Sequence, residues 1–448
     1  MQVKSFSLNI NQKIKSFTKS IEVDSDKSLS IRSFLIGSIS ENVSIAKNVL
    51  ESEDVFSTIN CLKKLGVQIR KKSQSYFIHG KGLGSLFAKR NLNLNFGNSG
   101  TLARLLIGIL STTPDIRIKI QGDRSLNKRS MKKLIKIMSE FGAEFLPKNK
   151  FNFPLKLIST EMPVCIKYNA GVSAQLKSAA ILAGLNSFGT TEIIENKKSR
   201  DHTENLLVKN RQAIKIRKGR KKLIKIYGKK YLSPIKINIP GDPSSAAFFV
   251  ALTLLSKNSS LKIKNVGLNQ TRIGFYELLK KHGANIKFYN KRKRNNEIIG
   301  DINIKSGKLK RPIIASKNFY EKTTDEFPIL FCIAALTKGT SVFKGIQDLA
   351  NKESNRIKEM QKVLKQIGIK SISTKNEMRV YGRSFIESDN KKITIPNLGD
   401  HRICMSSVIL SLVTGIKARI NNFETVNTSS PNFLRIIKSL GANFEIKK

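Results

Sequence analysis

A short signature recurs along the whole chain and constrains its fold more than any other feature. Each copy is an amphipathic helix with a basic or polar end, then Gly, then a strand. The copies read CLKKLGVQI at 61–69, IMSEFGAEF at 137–145, LLKKHGANI at 278–286, VLKQIGIKS at 363–371 and IIKSLGANF at 436–444. Gly directly after a helix can adopt the left-handed conformation that other residues avoid. The signature therefore predicts one supersecondary unit that is used repeatedly.

The spacing of the copies predicts the number of units. The signature glycines are Gly66, Gly142, Gly283, Gly368 and Gly441, separated by 76, 141, 85 and 73 residues. The long interval predicts a degenerate copy, and LLVKNRQAI at 206–214 fits it, with Arg211 in place of Gly. Six units of about 75 residues account for the 448 residues of the chain.

Within each unit, strands and amphipathic helices alternate, so the expected fold class is α/β. A chain of this length normally splits into domains. Three units precede about residue 240 and three follow it. We therefore expect two equivalent halves with a cleft between them.

Four helices are expected to begin in clusters of small and hydroxyl residues. These segments span 24–39, 97–110, 171–185 and 240–255. Ser, Thr, Asp and Asn cap helix N-termini, and the partial positive charge there attracts phosphate or carboxylate. Basic residues lie beside three of the starts, namely Lys27, Arg32, Arg104 and Lys177. Together these features favour a cleft that binds phosphorylated ligands.

Five further clusters mix acidic and basic residues near predicted helices. They are GDRSLNKRSM at 122–131, SRDHTE at 199–204, TTDEFPILFCIAAL at 323–336, NKESNRIKEM at 351–360 and LGDHRICMSSVIL at 398–410. Taken singly, each cluster is more often a helix cap or a surface ion pair than a site. A carboxylate among several Lys and Arg residues is nevertheless what acid–base chemistry on a phosphorylated substrate requires.

The net charge of +49, from 81 Lys and Arg against 32 Asp and Glu, predicts attraction to polyanions. The basic residues are not gathered in one tail, and the densest run, at 215–230, alternates apolar residues on both sides of Gly219. This alternation favours a solvated β-hairpin over a nucleic-acid-binding arm. Aromatic residues make up only 7% of the chain, whereas a nucleic-acid surface interleaves them with basic residues.

Several classes of protein are disfavoured by what the sequence lacks. No run approaches the ~20 apolar residues that span a bilayer, and the first 20 residues lack a signal-peptide apolar region. The sequence contains no P-loop and no G-x-S-x-G motif. The four cysteines are far apart and accompany only four His residues, so we expect free thiols, no metal site and a cytoplasmic location.

Ten short stretches of the sequence are together highly specific for one protein family. They are DKSLSIR, GNSGTLAR, GDRSLNKRSM, SAQLKSA, SRDHTE, PGDPSSAAF, TRIG, DEFPIL, KESNR and GDHRICMS. With these stretches, in order and over essentially the whole chain, the sequence resembles the enolpyruvyl transferases of the EPSP synthase (3-phosphoshikimate 1-carboxyvinyltransferase) family. The resemblance implies a two-domain inside-out α/β barrel with three βαβαββ repeats per domain. The implied domains are 1–22 plus 242–448 and 23–241, with the active site in the interdomain cleft.

The resemblance also implies an activity. The enolpyruvyl group of phosphoenolpyruvate moves to the 5-hydroxyl of shikimate 3-phosphate and phosphate leaves, in the shikimate pathway to chorismate and the aromatic amino acids. Shikimate 3-phosphate would be bound by Lys27, Ser28, Arg32, Ser173, Ala174, Gln175, Arg200, Asp325 and Lys352. Phosphoenolpyruvate would be bound by Lys27, Gly100, Arg129, Gln175, Arg356 and Arg402. Asp325 would accept the hydroxyl proton, and Glu353, with Lys27, would protonate the methylene carbon.

The resemblance further implies a monomer that binds these small molecules, without cofactor, metal, membrane or specific nucleic-acid partner. Three alternatives stay open. The sister enolpyruvyl transferase that acts on UDP-N-acetylglucosamine typically has Lys-Asn in its first motif and a Cys in a mobile loop. In this chain Lys27 is followed by Ser28, and 115–129 contains no Cys. The other two alternatives are not active enzymes: a basic nucleic-acid-binding protein, and an inactive relic that keeps the fold of the enzyme.

The sequence departs from the family pattern at several loop positions. Asp24 and Ser25 replace Pro-Gly, Ser130 and Gln270 each replace Pro, Asn355 replaces Asp, and Ser430 replaces an aromatic residue. None of these changes removes a proposed catalytic side chain. Because Pro and Gly shape loop entropy and turn geometry, we predict lowered thermal stability.

Overall fold

The structure is a computed structural model that describes residues 5–217 and 219–448. The chain divides into two compact units. Unit 1 comprises Met1–Asp24, Pro240–Lys293 and Ile298–Lys448, and unit 2 comprises Ser25–Ile239 and Arg294–Glu297. Each unit has its own hydrophobic core. In the described part of the chain, no helix is both long and apolar enough to cross a membrane.

The elements are named in chain order. The strands are β1 (Ser7–Ile10), β2 (Thr18–Ile21), β3 (Val43–Lys47), β4 (Gln68–Lys72), β5 (Ser75–His79), β6 (Asn93–Asn95), β7 (Arg117–Gln121), β8 (Glu144–Leu146), β9 (Leu155–Ile158), β10 (Lys167–Ala170), β11 (Thr190–Glu195), β12 (Ile214–Arg217), β13 (Lys222–Tyr227), β14 (Lys236–Asn238), β15 (Ser260–Gly267), β16 (Ile286–Arg294), β17 (Glu297–Lys305), β18 (Ile314–Ala315), β19 (Gly339–Lys344), β20 (Ser371–Ser373), β21 (Glu377–Gly382), β22 (Lys392–Ile395), β23 (Lys417–Ile420) and β24 (Glu445–Lys447). The helices are α1 (Lys27–Ile39), α2 (Glu53–Lys64), α3 (Gly100–Ser111), α4 (Arg124–Asn127), α5 (Lys132–Glu140), α6 (Ala174–Gly184), α7 (His202–Leu207), α8 (Pro243–Leu255), α9 (Gly274–Lys281), α10 (Tyr320–Thr323), α11 (Phe327–Ala335), α12 (Arg356–Gln366), α13 (His401–Thr414) and α14 (Phe433–Ser439). Three 3₁₀ turns span Lys317–Phe319, Gln347–Asn351 and Phe423–Thr428.

Within the described residues, the strands form six four-stranded sheets, three in each unit. In unit 2 the strand orders are β14-β3-β5-β4, β6-β7-β9-β8 and β10-β11-β13-β12. In unit 1 the orders are β2-β15-β17-β16, β18-β19-β21-β20 and β22-β23-β1-β24. Each sheet begins with a parallel pair, and its third strand is antiparallel to the second. This common plan confirms the predicted α/β class and the six-fold repeat.

The signature glycines have the conformation that the sequence predicts. Their φ angles are +85°, +104°, +99°, +75° and +98° in chain order, all in the left-handed region that favours glycine. In the degenerate copy the chain leaves α7 by another turn, in which the Ala213 amide donates to the Asn210 carbonyl at 2.9 Å. Arg211 is not among the residues with positive φ, so glycine is not required at that position.

The basic run at 215–230 forms the predicted hairpin, although the turn residue at 218 lies outside the described residues. β12 and β13 pair antiparallel, but β13 also pairs with β11 inside the sheet. Ile224 and Ile226 are fully buried, and the side chain of Lys222 is only 15% exposed. The expectation of a solvated hairpin is therefore wrong for β13, because the sequence pattern could not reveal the acidic partners that make burial of Lys222 favourable.

One long helix in each repeat is buried along most of its length, and we call these six the central helices. They are α1, α3 and α6 in unit 2 and α8, α11 and α13 in unit 1. In unit 2, α3 and α6 pack closely at Gly108, where a Cβ atom would lie 2.6 Å from the Ala179 carbonyl oxygen. This packing fixes the starts of neighbouring central helices relative to each other.

Candidate active site

Five of the six central helices begin with a side-chain cap, including all four starts predicted from the sequence. Each capping oxygen accepts a hydrogen bond from a backbone amide of the first turn; the caps are Asp26, Ser99, Ser173, Asp242 and Asp400. α11 follows Glu326, which makes no such bond to the helix. Several proposed binding residues lie in these first turns, where the helix partial charge favours an anionic ligand.

In unit 2, a first group of proposed site residues lies on α1. The Nζ atom of Lys27 is 2.9 Å from Asp54 Oδ2. Arg32 is buried and donates from Nε to Thr203 Oγ1 at 2.8 Å and from Nη1 to the Ser28 carbonyl at 3.2 Å. Arg32 Nη2 also donates to Ser178 Oγ at 3.2 Å. Lys27, Ser28 and Arg32 thus all lie in the first two turns of α1.

A second group surrounds Gly100 at the start of α3. A Cβ atom on Gly100 would lie 2.6 Å from Arg104 Nη1 and 3.2 Å from Arg129 Nη1. Arg104 Nη1 donates to Gln175 Oε1 at 3.0 Å, and Gln175 Nε2 donates to Thr101 Oγ1 at 2.9 Å. Gly100 thus lets two guanidinium groups approach the helix start, and Gln175 is held beside them.

Four further predicted residues, Ser173, Ala174, Arg200 and Arg129, also belong to unit 2. Ser173 caps α6 by accepting from the Leu176 amide at 3.4 Å, and Ala174 is the first residue of that helix. Arg200 is half-buried in the segment between β11 and α7, directly after buried Ser199. Arg129 donates from Nη2 to Asn98 Oδ1 at 2.6 Å, in the loop that leads into α3.

In unit 1, Arg356 gathers three carboxylates. Its Nε donates to Asp400 Oδ2 at 3.0 Å and its Nη2 donates to Glu353 Oε2 at 2.6 Å. Asp325 Oδ1 is 3.7 Å from Nη1. Burial lowers the pKa of Arg356, but Asp400, Glu353 and Asp325 outweigh burial and raise that pKa above its ordinary value. The guanidinium therefore stays charged, holds Glu353 by a hydrogen bond and lies within ion-pair distance of Asp325.

Arg402 and Lys352 lie near this group along the chain. Asp400 accepts from the Arg402 amide at 3.0 Å, and Arg402 Nη1 donates to the Ser244 carbonyl at 3.3 Å. Arg402 also lies over the ring of Phe248, 5.6 Å from its centroid. Lys352 is half-buried at the end of the turn Gln347–Asn351, next to Glu353. Asp400 thus links α12 and α13 by holding both Arg356 and the first turn of α13.

A model of the family described as EPSP synthase (3-phosphoshikimate 1-carboxyvinyltransferase) matches residues 11–437. The chain belongs to the EPSP synthase family. A relative from Zymomonas mobilis named 3-phosphoshikimate 1-carboxyvinyltransferase is 36% identical over 449 residues, which cover 98% of this chain and 97% of the relative. One with the same name from Bacillus subtilis is 35% identical and covers 96% and 98%.

Solved structures agree with this family. EPSP synthase from Acinetobacter baumannii superposes with a TM-score of 0.84 at 34% identity and covers 99% of this chain and 100% of that one. The enolpyruvyl transferase NikO from Streptomyces tendae gives a TM-score of 0.77 at 12% identity, which shows a shared fold only.

The family resemblance did not assign three residues that the structure places against the proposed site. Asp54 contacts Lys27, Arg104 bridges Gly100 and Gln175, and Asp400 holds Arg356. Arg104 and Asp400 stand within motifs that match the family, so the sequence already carried a signal for them. Asp54 lies in α2 outside every motif, and only its ion pair reveals it.

Proposed function

We propose that this chain transfers the enolpyruvyl group of phosphoenolpyruvate to the 5-hydroxyl of shikimate 3-phosphate and releases phosphate. Membership of the EPSP synthase family supports the proposal. The observation that carries it is the contact of Asp325 and Glu353 with one buried guanidinium, that of Arg356. Acid–base catalysis on an anionic substrate needs carboxylates that are fixed next to cations.

We assign the anionic parts of the substrates to the cationic side chains of both units. Lys27, Ser28 and Arg32, with Ser173, Ala174, Gln175, Arg200 and Lys352, are proposed to bind shikimate 3-phosphate. Arg129, Arg356 and Arg402, with Lys27, Gly100 and Gln175, are proposed to bind phosphoenolpyruvate. Guanidinium groups suit this task because they donate two parallel hydrogen bonds to carboxylate or phosphate. The active site in the interdomain cleft stays a prediction.

In the proposed reaction, Asp325 accepts the proton of the 5-hydroxyl as that oxygen attacks C2 of phosphoenolpyruvate. Glu353, with Lys27, delivers a proton to the methylene carbon, which makes C2 electrophilic. The tetrahedral intermediate then returns the methyl proton to an enzyme base and expels phosphate, which restores the enol ether. Arg356, at 2.6 Å from Glu353, would stabilise the negative charge that develops when this acid gives up its proton.

The test is phosphate release with both substrates, compared with either substrate alone. Asp325→Asn and Glu353→Gln should each lower kcat at least about 100-fold. Glu359→Gln is the matched control, since Glu359 lies on α12 but pairs with the exposed Lys362. No turnover by the folded wild-type chain would overturn the proposal. Turnover with UDP-N-acetylglucosamine in place of shikimate 3-phosphate would support the sister transferase instead.

We also propose that the chain acts as a cytoplasmic monomer on these small molecules alone. All four cysteines are free thiols, which suits a reducing compartment. Binding to polyanions should be weak and nonspecific, because the charge of +49 is spread along the chain. A mass measurement in solution at several protein concentrations tests the monomer.

A further inference from the structure

Two glutamates and two lysines form a buried ion cluster in unit 2, which we call the quartet. Lys177 Nζ lies 2.7 Å from Glu195 Oε1 and 2.8 Å from Glu204 Oε1. Lys222 Nζ lies 2.9 Å from Glu204 Oε1 and 3.4 Å from Glu195 Oε2. The side chains of Lys177, Glu195 and Glu204 are at most 1% exposed. The function proposed above assigns no role to any of the four.

The quartet balances two acidic side chains against two basic ones. Burial alone would raise the pKa of both glutamates, but Lys177 and then Lys222 outweigh burial, so the pKa of each carboxyl lies below its ordinary value. The pKa of Lys222 is raised because Glu204 and Glu195 outweigh its burial. Removing one member would leave a buried charge without compensation, which is costly.

Two of the four residues lie on helices that carry or contact residues proposed to bind shikimate 3-phosphate. Lys177 lies in α6, one turn after Ala174 and Gln175, and Glu204 lies in α7. Thr203, beside Glu204, accepts from Arg32, and its hydroxyl donates to Ser178, beside Lys177, at 2.8 Å. The quartet therefore includes residues of both α6 and α7, and it is linked to the Arg32 side chain through the neighbouring Thr203 and Ser178.

Glu195 binds the residue directly before Arg200, which is proposed to bind shikimate 3-phosphate. Its Oε1 accepts from the Ser199 amide at 2.8 Å and from the Ser199 hydroxyl at 2.7 Å, besides Lys177. Ser199 is 2% exposed and directly precedes Arg200. Two hydrogen bonds to one ionised oxygen fix the backbone at this position, because bonds to charged acceptors are stronger than neutral ones. The residue that follows is thereby fixed as well.

We propose that Glu195, acting through Ser199, is a positioning residue that places Arg200 for the phosphate of shikimate 3-phosphate. This inference rests on the function proposed above. The quartet keeps Glu195 ionised and immobile, and Glu195 holds Ser199. Lys177 ties the same carboxylate to α6, so Arg200 and the α6 start keep one fixed spacing.

The first test is Ser199→Ala, which removes one hydrogen bond and leaves the quartet charges intact. We expect the KM for shikimate 3-phosphate to rise about 3- to 10-fold, with kcat and the KM for phosphoenolpyruvate unchanged. Ser187→Ala is the matched control, because Ser187 is also fully buried and donates to a backbone carbonyl, that of Gly184. The control should leave both KM values unchanged.

A double-mutant cycle shows whether Ser199 acts through Arg200. In an Arg200→Ala background, Ser199→Ala should have no further effect on the KM for shikimate 3-phosphate. Equal KM values for wild type, Ser199→Ala and Ser187→Ala, or additive effects in the cycle, would overturn the inference. Glu195→Gln gives a second variant, expected to raise the same KM more strongly than Ser199→Ala. An inactive wild type would refute the proposed function instead, so the two failures are distinguishable.

Discussion

Replacement of Arg356 by Lys tests whether one guanidinium organises the carboxylates of unit 1. Arg356 is 1% exposed and makes three hydrogen bonds to carboxyl oxygens, two to Asp400 and one to Glu353. Lysine keeps the positive charge, so no buried carboxylate loses its counter-charge altogether. A single ammonium cannot reproduce the planar fork that reaches both carboxylates. Arg356→Lys therefore isolates the contribution of geometry from that of charge.

The magnitude follows from the bonds that are lost. An ammonium that stays with Asp400 gives up at least two of the three hydrogen bonds, each worth about 1.5–3 kcal/mol when an ionised group takes part. The loss is thus about 3 kcal/mol or more, which corresponds to a Tm lowered by about 6–12 °C for a unit of this size. Because Glu353 loses its hydrogen bond and Asp325 loses the guanidinium beside it, we also expect kcat to fall about 100-fold.

Calorimetry gives the Tm, and the phosphate-release assay gives kcat and both KM values. Arg379→Lys is the matched control, since Arg379 lies in the same unit, is half-exposed and pairs with Glu377. Exposed ion pairs contribute little, so the control should keep the wild-type Tm and kcat. If Arg356→Lys behaved like this control, the view that Arg356 organises the site would be refuted.

Four further predictions follow from local geometry. Gly100→Ala should raise the KM for phosphoenolpyruvate about tenfold in steady-state assays, because its Cβ would meet two guanidinium groups, whereas Gly307→Ala meets nothing within 4 Å and should not. Gly66→Ala should destabilise unit 2 by about 1 kcal/mol in urea unfolding, since φ is +85° there. The lowered pKa of Glu204 means that its stabilisation is complete above pH 4.5 and is lost as the pH falls further, so Glu204→Gln should flatten the acid decline of the Tm. The wild-type Tm should lie below that of family members that keep the loop Pro and Gly residues; an equal Tm would contradict this.

The repeat and the fold class could be predicted from the sequence because they rest on local chemistry. A glycine after a helix reports its own φ, and five such positions gave the period directly. The closure of the sheets could not be predicted in this way. β1 completes a sheet with β23 and β24, and β14 pairs with β3, so these partners are separated by about 190 to 440 residues along the chain. No local pattern encodes a pairing at such distances.

Positions of the site residues followed from motifs, but their contacts did not. Arg104 meets Gln175 across 71 residues, and Arg356 meets Asp400 across 44. Each of these side chains is compatible with a surface position when the sequence is considered alone. Lys222 is the clearest example. A lysine in a basic run is predicted to have an exposed side chain unless its buried acidic partners are known. Tertiary contact, which the sequence pattern does not contain, decides these cases.

Two of the departures from the family pattern are not independent of each other. Asp24 replaces Pro and Ser430 replaces an aromatic residue, yet the Ser430 hydroxyl donates to Asp24 Oδ2 at 2.7 Å. Asn432 adds a bond from its amide at 3.2 Å and one from its side chain at 2.7 Å. Burial raises the pKa of Asp24 despite these bonds. The desolvation penalty of the carboxylate is therefore larger than the stabilisation from its hydrogen-bond partners. A hydrogen-bonded pair thus occupies the place of an apolar one, and the effects of the two changes on stability cannot be added. The rest of the predicted loss of thermal stability comes from the other loop positions, Ser25, Ser130 and Gln270. At these positions a rigid Pro or a permissive Gly is replaced.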